Sequence, residues 1–243
     1  MRKYVLLFGI LLFFSSCGDK KQQLQKQAAH ETKEQISSRY VTNNILISSA
    51  LPKLEIKVDD AFVFVGKFDF EIIANSDEYP PELQGEPVAG GDRYVFVSAD
   101  ENQKINKLFI VQFEGFLPQN SFTYNYNFDN AEFMGENKYR HNTWFYDSKK
   151  LSEENPNNEG AKTRKFLENK GYDLDDHFMM SRFVGLASED RKHEIIIFYL
   201  EMMKQATGYS LKEYETSIRE DEADSLRNSF IDRSHQSFSI VKG

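Results

Sequence analysis

Two stretches of the sequence place polar side chains among apolar ones at the spacing of a β-strand. Gln112 and Glu114 occur in LFIVQFEGF, and Arg182 occurs in FMMSRFVGL. Because alternate side chains of a strand share a face, each of the three has apolar neighbours two positions away. A charged group on such a face is rarely left unpaired. We therefore expect Glu114 and Arg182 to face one interior, and with Gln112 they are candidate polar anchors of an aromatic-lined ligand pocket. The alternatives are a structural ion pair and a strand face that is exposed to water.

A third stretch, YDLDDH, collects oxygen and nitrogen ligands that suit a metal ion. It contains Asp173, Asp175, Asp176 and His177, directly after a predicted helix. Carboxylates at the C-terminal end of a helix oppose its dipole, so a bound cation would help to stabilise them. The favoured alternative is a solvated acidic loop. The sequence therefore predicts neither a metal site nor a cofactor.

The motifs of common enzyme classes are missing from the sequence. There is no G-x-S-x-G turn, no G-x-x-x-x-G-K phosphate loop and no dinucleotide-binding glycine pattern. His193 and Glu194 begin an H-E pair, but Ile197 stands where a zinc-binding helix needs its second histidine. His141 and Asp147 share one strand face but lie about 20 Å apart along it, so they form no dyad. We expect the domain to bind rather than to catalyse.

Aromatic residues set the architecture that would position these groups. The chain has 21 Phe and 12 Tyr, concentrated in short runs that alternate with polar residues. This alternation, with short charged turns between the runs, is typical of antiparallel strands with one buried face. It predicts strands at residues 54–58, 62–74, 93–99, 108–117, 122–128, 139–147, 178–187 and 194–203.

Two segments carry helical signals instead. Residues 158–170 end at Gly171, which suits the left-handed conformation that follows many helices. Ser210 and Glu213 have the spacing of a capping box, so a second helix should begin there, with an interruption at 220–224. The sequence therefore predicts an α+β fold, with a mainly antiparallel sheet of about seven or eight strands and two or three helices packed at one side.

Two further features complete the predicted domain. The proline- and glycine-rich stretch 78–94 predicts a long connection between strands, which is either a functional loop or a plain crossover. Trp144 is the single tryptophan, and its aromatic neighbours predict that it packs in the core.

The beginning of the chain has the layout of an export signal. It reads MRKYVLLFGILLFFSSC, with a basic start, an apolar run and two serines before Cys17, the single cysteine. The apolar run is shorter than the roughly 20 residues that span a bilayer. FSSC resembles the lipobox of bacterial lipoproteins, with Phe14 where leucine is usual. The resemblance covers residues 1–17 and implies a signal peptide at 1–16 and a diacylglycerol-modified Cys17. The alternative is an ordinary secretory signal with a chance cysteine.

Composition indicates how the rest of the chain is organised. Residues 17–39 are polar and rich in Gln and Lys, which predicts a flexible tether, and residues 40–243 form one globular domain. The formal net charge is −8, and an acidic chain lacks the basic face that nucleic acids require.

Together these features predict where the protein acts and what it contacts. We expect a lipid-anchored protein of the bacterial cell envelope, at the outer membrane and facing the periplasm, that binds a small apolar ligand or another envelope protein. A carboxylate- or metal-dependent hydrolase, with Asp173, Asp175 and His177 as candidates, is the first alternative. A structural envelope scaffold is the second.

Overall fold

The computed structural model describes residues 38–242. Within this range the chain forms eleven β-strands, five α-helices and one short 3-10 helix. The predicted signal peptide, Cys17 and most of the predicted tether lie outside the described residues. The first strand, β1, begins at Arg39, the last residue of the predicted tether. None of the helices in the described range is long and apolar enough to cross a bilayer.

Seven strands form an antiparallel central sheet in the spatial order β4-β5-β6-β10-β9-β8-β7. The sheet consists of two meanders, β4 to β6 and β7 to β10, which join where β10 pairs with β6. The strands are β4 (Val63–Ile73), β5 (Pro87–Ala99), β6 (Ile105–Phe116), β7 (Glu132–Met134), β8 (Asn137–Asp147), β9 (His177–Leu186) and β10 (His193–Met202).

A smaller antiparallel sheet covers one face of the central sheet, which we call the first face. Its strands are β1 (Arg39–Thr42), β2 (Ile45–Ser48), β3 (Leu54–Val58) and β11 (Phe238–Lys242), in the order β1-β2-β3-β11. Phe238 of β11 contacts Phe109 and Phe183 of the central sheet, with ring centroids 5.3 and 5.5 Å apart. The main apolar core therefore lies between the two sheets.

The helices divide between the two faces. Helix α5 (Glu220–Gln236) lies on the first face, where the rings of Phe230 and Tyr199 are 5.5 Å apart. The opposite, second face carries a separate apolar cluster to which Leu167 contributes. The remaining helices are α1 (Ser148–Glu154), α2 (Glu159–Glu168), α3 (Met203–Thr207) and α4 (Leu211–Thr216).

Strand β10 shows why the central strands are nearly continuously apolar. It lies between β6 and β9, and both of its faces are covered. Tyr199 packs on the first face and Leu200 on the second. A strand buried on both faces reads as an unbroken apolar run, here IIIFYL at residues 195–200, rather than as an alternating one.

The predicted α+β fold and its antiparallel sheet are confirmed. The predicted capping box is also present, because Ser210 and Glu213 bond to each other's backbone N–H groups at the start of α4. The structure adds four short strands, β1, β2, β7 and β11, and two short helices, α1 and α3.

Four local predictions are wrong. Residues 122–128 are irregular, and residues 220–224 begin α5 rather than interrupting a helix. The connection in 78–94 is shorter than predicted, because a 3-10 helix at Pro81–Leu83 is followed by β5 at Pro87. Trp144 is 36% exposed, because β7 has only three residues and leaves much of β8 at the edge of the sheet.

Candidate ligand pocket

A cavity of about 320 Å³ lies between the second face of the central sheet and helices α1 and α2. We call it the sheet–helix pocket. Its volume falls at the lower end of the range for small-molecule sites. Most of its wall is apolar, and the side chains from β6, β9 and β10 that line it are Leu108, Ile110, Phe178, Met180, Phe198 and Leu200.

Arg93 of β5 brings a guanidinium group into the wall of this pocket. Its side chain is 6% exposed. Nη1 donates to the Thr163 hydroxyl at 2.6 Å and to the Glu159 carbonyl at 3.0 Å, while Nε donates to Gln112 Oε1 at 2.8 Å. Among residues 38–242 it has no ion pair within 4.0 Å. Burial lowers the pKa of Arg93 to about 10, so the group remains charged at neutral pH.

Gln112 connects Arg93 to a buried carboxyl group. The side chain of Gln112 accepts from Arg93 and donates through Nε2 to Glu114 Oε2 at 2.6 Å. The other oxygen, Glu114 Oε1, accepts from the Tyr124 hydroxyl at 2.7 Å. Burial raises the pKa of Glu114, against the effect of these two hydrogen bonds. The two predicted residues Gln112 and Glu114 are thus brought together with Arg93 on the second face.

Glu194 lies directly opposite Glu114 in the pairing of β10 with β6. The Glu194 side chain is 2% exposed, and its Oε2 atom has no hydrogen-bond partner. Burial, and after it the charge of Glu114, raise the pKa of Glu194 to about 8. Two neighbouring buried carboxylates cannot both ionise without cost, so Glu194 is protonated at neutral pH.

Arg182 does not pair with Glu114 as expected. The two residues lie on β9 and β6, and β10 runs between these strands. Arg182 is opposite Phe198, whereas Glu114 is opposite Glu194, four positions along β10. Within the described range, Arg182 has no carboxylate within 4.0 Å. The positive charge of Arg182 acts on Glu194 at longer range and lowers the pKa of that group. This effect is smaller than those of burial, of the Glu114 charge and of the hydrogen bond from Tyr126.

The irregular segment 117–131 covers the carboxyl pair. The N–H of Tyr124 donates to the carbonyl of Arg191 at 2.8 Å. In return, the Arg191 side chain donates to the carbonyls of Tyr124 and Tyr126, at 2.7 and 3.3 Å. The Arg191 side chain thus bonds carbonyl groups that, in a β-sheet, would accept from a neighbouring strand. The backbone of 122–128 therefore has its hydrogen-bond partners without forming a strand. The phenol of Tyr124 contacts Glu114, and Tyr126 interacts with Glu194 and Arg182.

Two carboxylates of the acidic stretch considered for a metal have basic side chains beside them. Lys104 lies 3.3 Å from Asp175, and Arg164 lies 3.1 Å from Asp176. His177 lies 3.4 Å from Asp147, and the backbone of Asp173 bonds to Gln103 and Ile105. Metal-ligating groups converge at a different place within the described range, where Glu132, His141 and His235 meet.

The sequence analysis did not select Arg93 and Glu194 as site residues, although each is a charged residue on an apolar strand face. Arg93 shares its strand face with Val95 and Val97, and Glu194 shares its face with Ile196 and Phe198. Each is a charged residue on an apolar face, as Glu114 and Arg182 are. Tyr124 and Tyr126 had no such signal, because their segment is not a strand.

Comparisons of the chain with protein-family models, with curated proteins and with solved structures found no match. Three features set the chemistry of the site: an apolar pocket, a buried guanidinium group in its wall, and a carboxyl pair beyond that group under two tyrosines.

Proposed function

We propose that this protein is a lipid-anchored component of the bacterial cell envelope whose domain holds a small apolar ligand in the sheet–helix pocket. The observation that carries the proposal is Arg93, a charged group buried in the wall of an apolar cavity without a carboxylate partner. The polar end of the ligand would lie at Arg93, and its apolar part would lie against the side chains of β6, β9 and β10.

The charge of Arg93 supports an anionic head group on the ligand. A buried cation is costly unless an opposite charge or several hydrogen bonds compensate it. The hydrogen-bond acceptors that the protein provides are neutral, namely Gln112, Thr163 and a backbone carbonyl. The charges of Glu159 and Glu114 also act on Arg93, but neither carboxylate lies within 4.0 Å of it. A carboxylate on the ligand would bring a negative charge into direct contact and accept from Nη2, which bonds only Gln112 among the described residues.

The volume of the pocket limits the ligand to a small molecule. At about 320 Å³ it accommodates a medium-length acyl chain but not a two-chain lipid. A ligand of this class, such as a short fatty acid, would also be at hand near a membrane.

The membrane location rests on the resemblance of FSSC to a lipobox. A lipid-modified Cys17 would hold the domain at the outer membrane, facing the periplasm, because two or more acyl chains anchor a protein stably. The net charge of −8 supports a role without nucleic acid. Another envelope protein is the second class of partner that we propose. If the pocket binds nothing, a purely structural role as an envelope scaffold is the remaining proposal.

A carboxylate-dependent hydrolase is the second candidate function. It is favoured by the pair Glu114 and Glu194, because two carboxyl groups with perturbed pKa values are typical of acid–base catalysis. However, Tyr124 hydrogen-bonds Glu114, and Glu194 is almost completely buried. Binding is therefore the function that the geometry supports best.

Photolabelling tests the proposed ligand. The full chain, purified in detergent, would be irradiated with a diazirine analogue of decanoic acid, and the labelled peptides would be mapped by mass spectrometry. We expect label on the strands that line the pocket, and stronger competition by decanoate than by decanol.

A variant that fills the entrance of the pocket provides the specificity control. Leu151 lines the pocket and is partly exposed, so Leu151→Trp should obstruct the cavity without disturbing the core. The matched control is Val63→Trp, at an exposed position of the edge strand β4. Equal labelling of both variants, or label that avoids β9 and β10, would refute the proposed ligand site.

A further inference from the structure

Three metal-ligating side chains from three separate elements converge at the edge of the central sheet. Glu132 belongs to β7, His141 to β8, and His235 to the last turn of α5. One ligand atom of each lies within 4.8 Å of the others. Glu132 Oε1 is 3.2 Å from His141 Nδ1, and Glu132 Oε2 is 2.7 Å from His235 Nε2. We call these three residues the histidine site.

The 3.2 Å separation is close to that of two ligands around one zinc ion, whereas the 2.7 Å separation is that of a hydrogen bond and would have to lengthen. Ligands at about 2.0–2.2 Å from tetrahedral zinc are about 3.3–3.6 Å from one another. Small rotations of the Glu132 and His235 side chains would therefore bring all three atoms to coordinating distance. Both side chains are about one-third exposed, at 33% and 35%, so an ion has a path from solvent.

The remaining ring nitrogens have partners of the kind that orient metal-bound histidines. His235 Nδ1 lies 2.8 Å from the carbonyl oxygen of Ile231, to which its N–H donates. His141 Nε2 lies 3.1 Å from the hydroxyl oxygen of Ser181. A ligating histidine almost always donates its other N–H to such a group, and this contact fixes the tautomer. In the metal-free site His235 Nε2 donates to Glu132 Oε2 at 2.7 Å. An ion bound there would displace that proton, which leaves lone pairs on His141 Nδ1 and His235 Nε2 toward the ion.

The packing around the rings fixes their orientation. Phe183 stacks on His141, with centroids 4.3 Å apart and planes 9° apart. The same phenylalanine meets His235 edge to face at 5.2 Å and 85°. Glu132 Oε1 is buried and has no hydrogen-bond partner, although His141 Nδ1 lies 3.2 Å away. The oxygen and the nitrogen are close, but no aligned hydrogen bond joins them. A cation bound between them would give each atom a partner.

We propose that the histidine site binds one zinc ion through Glu132, His141 and His235, with a water molecule as the fourth ligand. Two imidazoles and one carboxylate suit zinc and neighbouring transition metals, whereas calcium and magnesium prefer ligand sets made of oxygen alone. A site with three protein ligands and one open position has the composition of catalytic rather than structural zinc centres.

The location of the site adds a structural role to the ion. The ion would link the β7–β8 hairpin to helix α5, two parts of the chain about 100 residues apart in sequence. His235 lies at the C-terminal end of α5, where the helix dipole favours positive charge. The site lies on the first face of the sheet, so it is separate from the sheet–helix pocket on the second.

Metal titration of the full chain tests the proposal directly. The protein would carry no histidine-containing tag, would be stripped with chelator in detergent, and would be titrated with zinc chloride by calorimetry. We expect one ion per chain and a higher melting temperature. Cobalt(II) in place of zinc should give the visible absorption of a four-coordinate centre. Absence of one-to-one binding by the wild-type chain would overturn the proposal, whatever the variants do.

Variants then assign the binding to these residues. Glu132→Gln and His235→Gln should each lower zinc affinity by more than tenfold, and Ser181→Ala should lower it about tenfold, as for an orienting partner of a metal-bound histidine. The control is His177→Gln, because His177 also faces a carboxylate, Asp147 at 3.4 Å, outside the site. An unchanged affinity in Glu132→Gln and His235→Gln, or a loss only in His177→Gln, would place the ion elsewhere and refute the assignment.

Discussion

Replacing Glu194 with glutamine should stabilise the domain at alkaline pH and leave it almost unchanged at acidic pH. In the folded chain the pKa of Glu194 is raised from its ordinary value of 4.5 to about 8 by burial and by Glu114. A carboxyl group with a raised pKa binds its proton more tightly in the folded chain than in the unfolded chain. Its contribution to the free energy of unfolding is therefore complete below about pH 4.5 and is lost as the pH rises toward about 8. Glutamine resembles the protonated acid and does not titrate.

The size of the effect follows from the two pKa values. Between pH 4.5 and about 8, each pH unit lowers the free energy of unfolding by about 1.4 kcal/mol per proton. The loss is therefore at most about 5 kcal/mol by pH 8, and we expect about half of this after relaxation and water entry. The difference between Glu194→Gln and the wild type should be near zero at pH 5 and about 2–3 kcal/mol at pH 8.

Urea unfolding of both proteins at a series of pH values between 5 and about 8.5 measures this difference. A matched control is Glu201→Gln, on the same strand and similarly buried at 3% exposure. Hydrogen bonds from Arg233 and Tyr199 outweigh burial and lower the pKa of Glu201, so that substitution should destabilise the domain at neutral pH. If Glu194→Gln has the same stability difference at pH 5 and pH 8, Glu194 is ionised throughout and the description of the carboxyl pair is wrong.

Three further predictions concern other parts of the chain. Cys17→Ala should abolish incorporation of labelled palmitate in growing cells, and equal labelling of variant and wild type would refute the lipid anchor. Gly91→Ala should lower the free energy of unfolding by more than about 2 kcal/mol, because the added Cβ would lie 1.9 Å from the carbonyl oxygen of Phe113. A midpoint of urea unfolding equal to that of the wild type would contradict this close approach. Glu114→Gln and Arg182→Met should have nearly additive effects on stability, with only a small coupling energy that passes through Glu194, and a large coupling energy in a double-mutant cycle would show a direct contact.

Local patterns in the sequence account for what was predicted correctly. The capping box at Ser210 and Glu213 and the helix end before Gly171 depend on residues a few positions apart. Apolar patterning identified β4, β6, β8, β9 and β10 in the same local way. The pattern alternates where one face of a strand is buried and is continuous where both faces are buried, as in β10. These features survive because local preference and final packing agree.

What the sequence did not reveal depends on which strands become neighbours. The insertion of β10 between β6 and β9 separates Glu114 from Arg182 and places Glu194 opposite Glu114 instead. The histidine site joins residues as far apart as Glu132 and His235, with no spacing motif to mark them. The irregular path of 122–128 depends on the distant side chain of Arg191. None of these contacts leaves a local signal.

The pairing of β3 with β11 has a consequence for how the chain acquires its structure as it emerges, N-terminus first, from the ribosome. Ile56 pairs with Ile240, so the small sheet is completed only after almost all of the described chain has emerged. Until then Phe109 and Phe183 lack the cover of Phe238. Contacts between such distant residues form slowly, and uncovered apolar surface promotes aggregation meanwhile. The small sheet therefore closes last, and its late closure lengthens the time during which the apolar core is exposed.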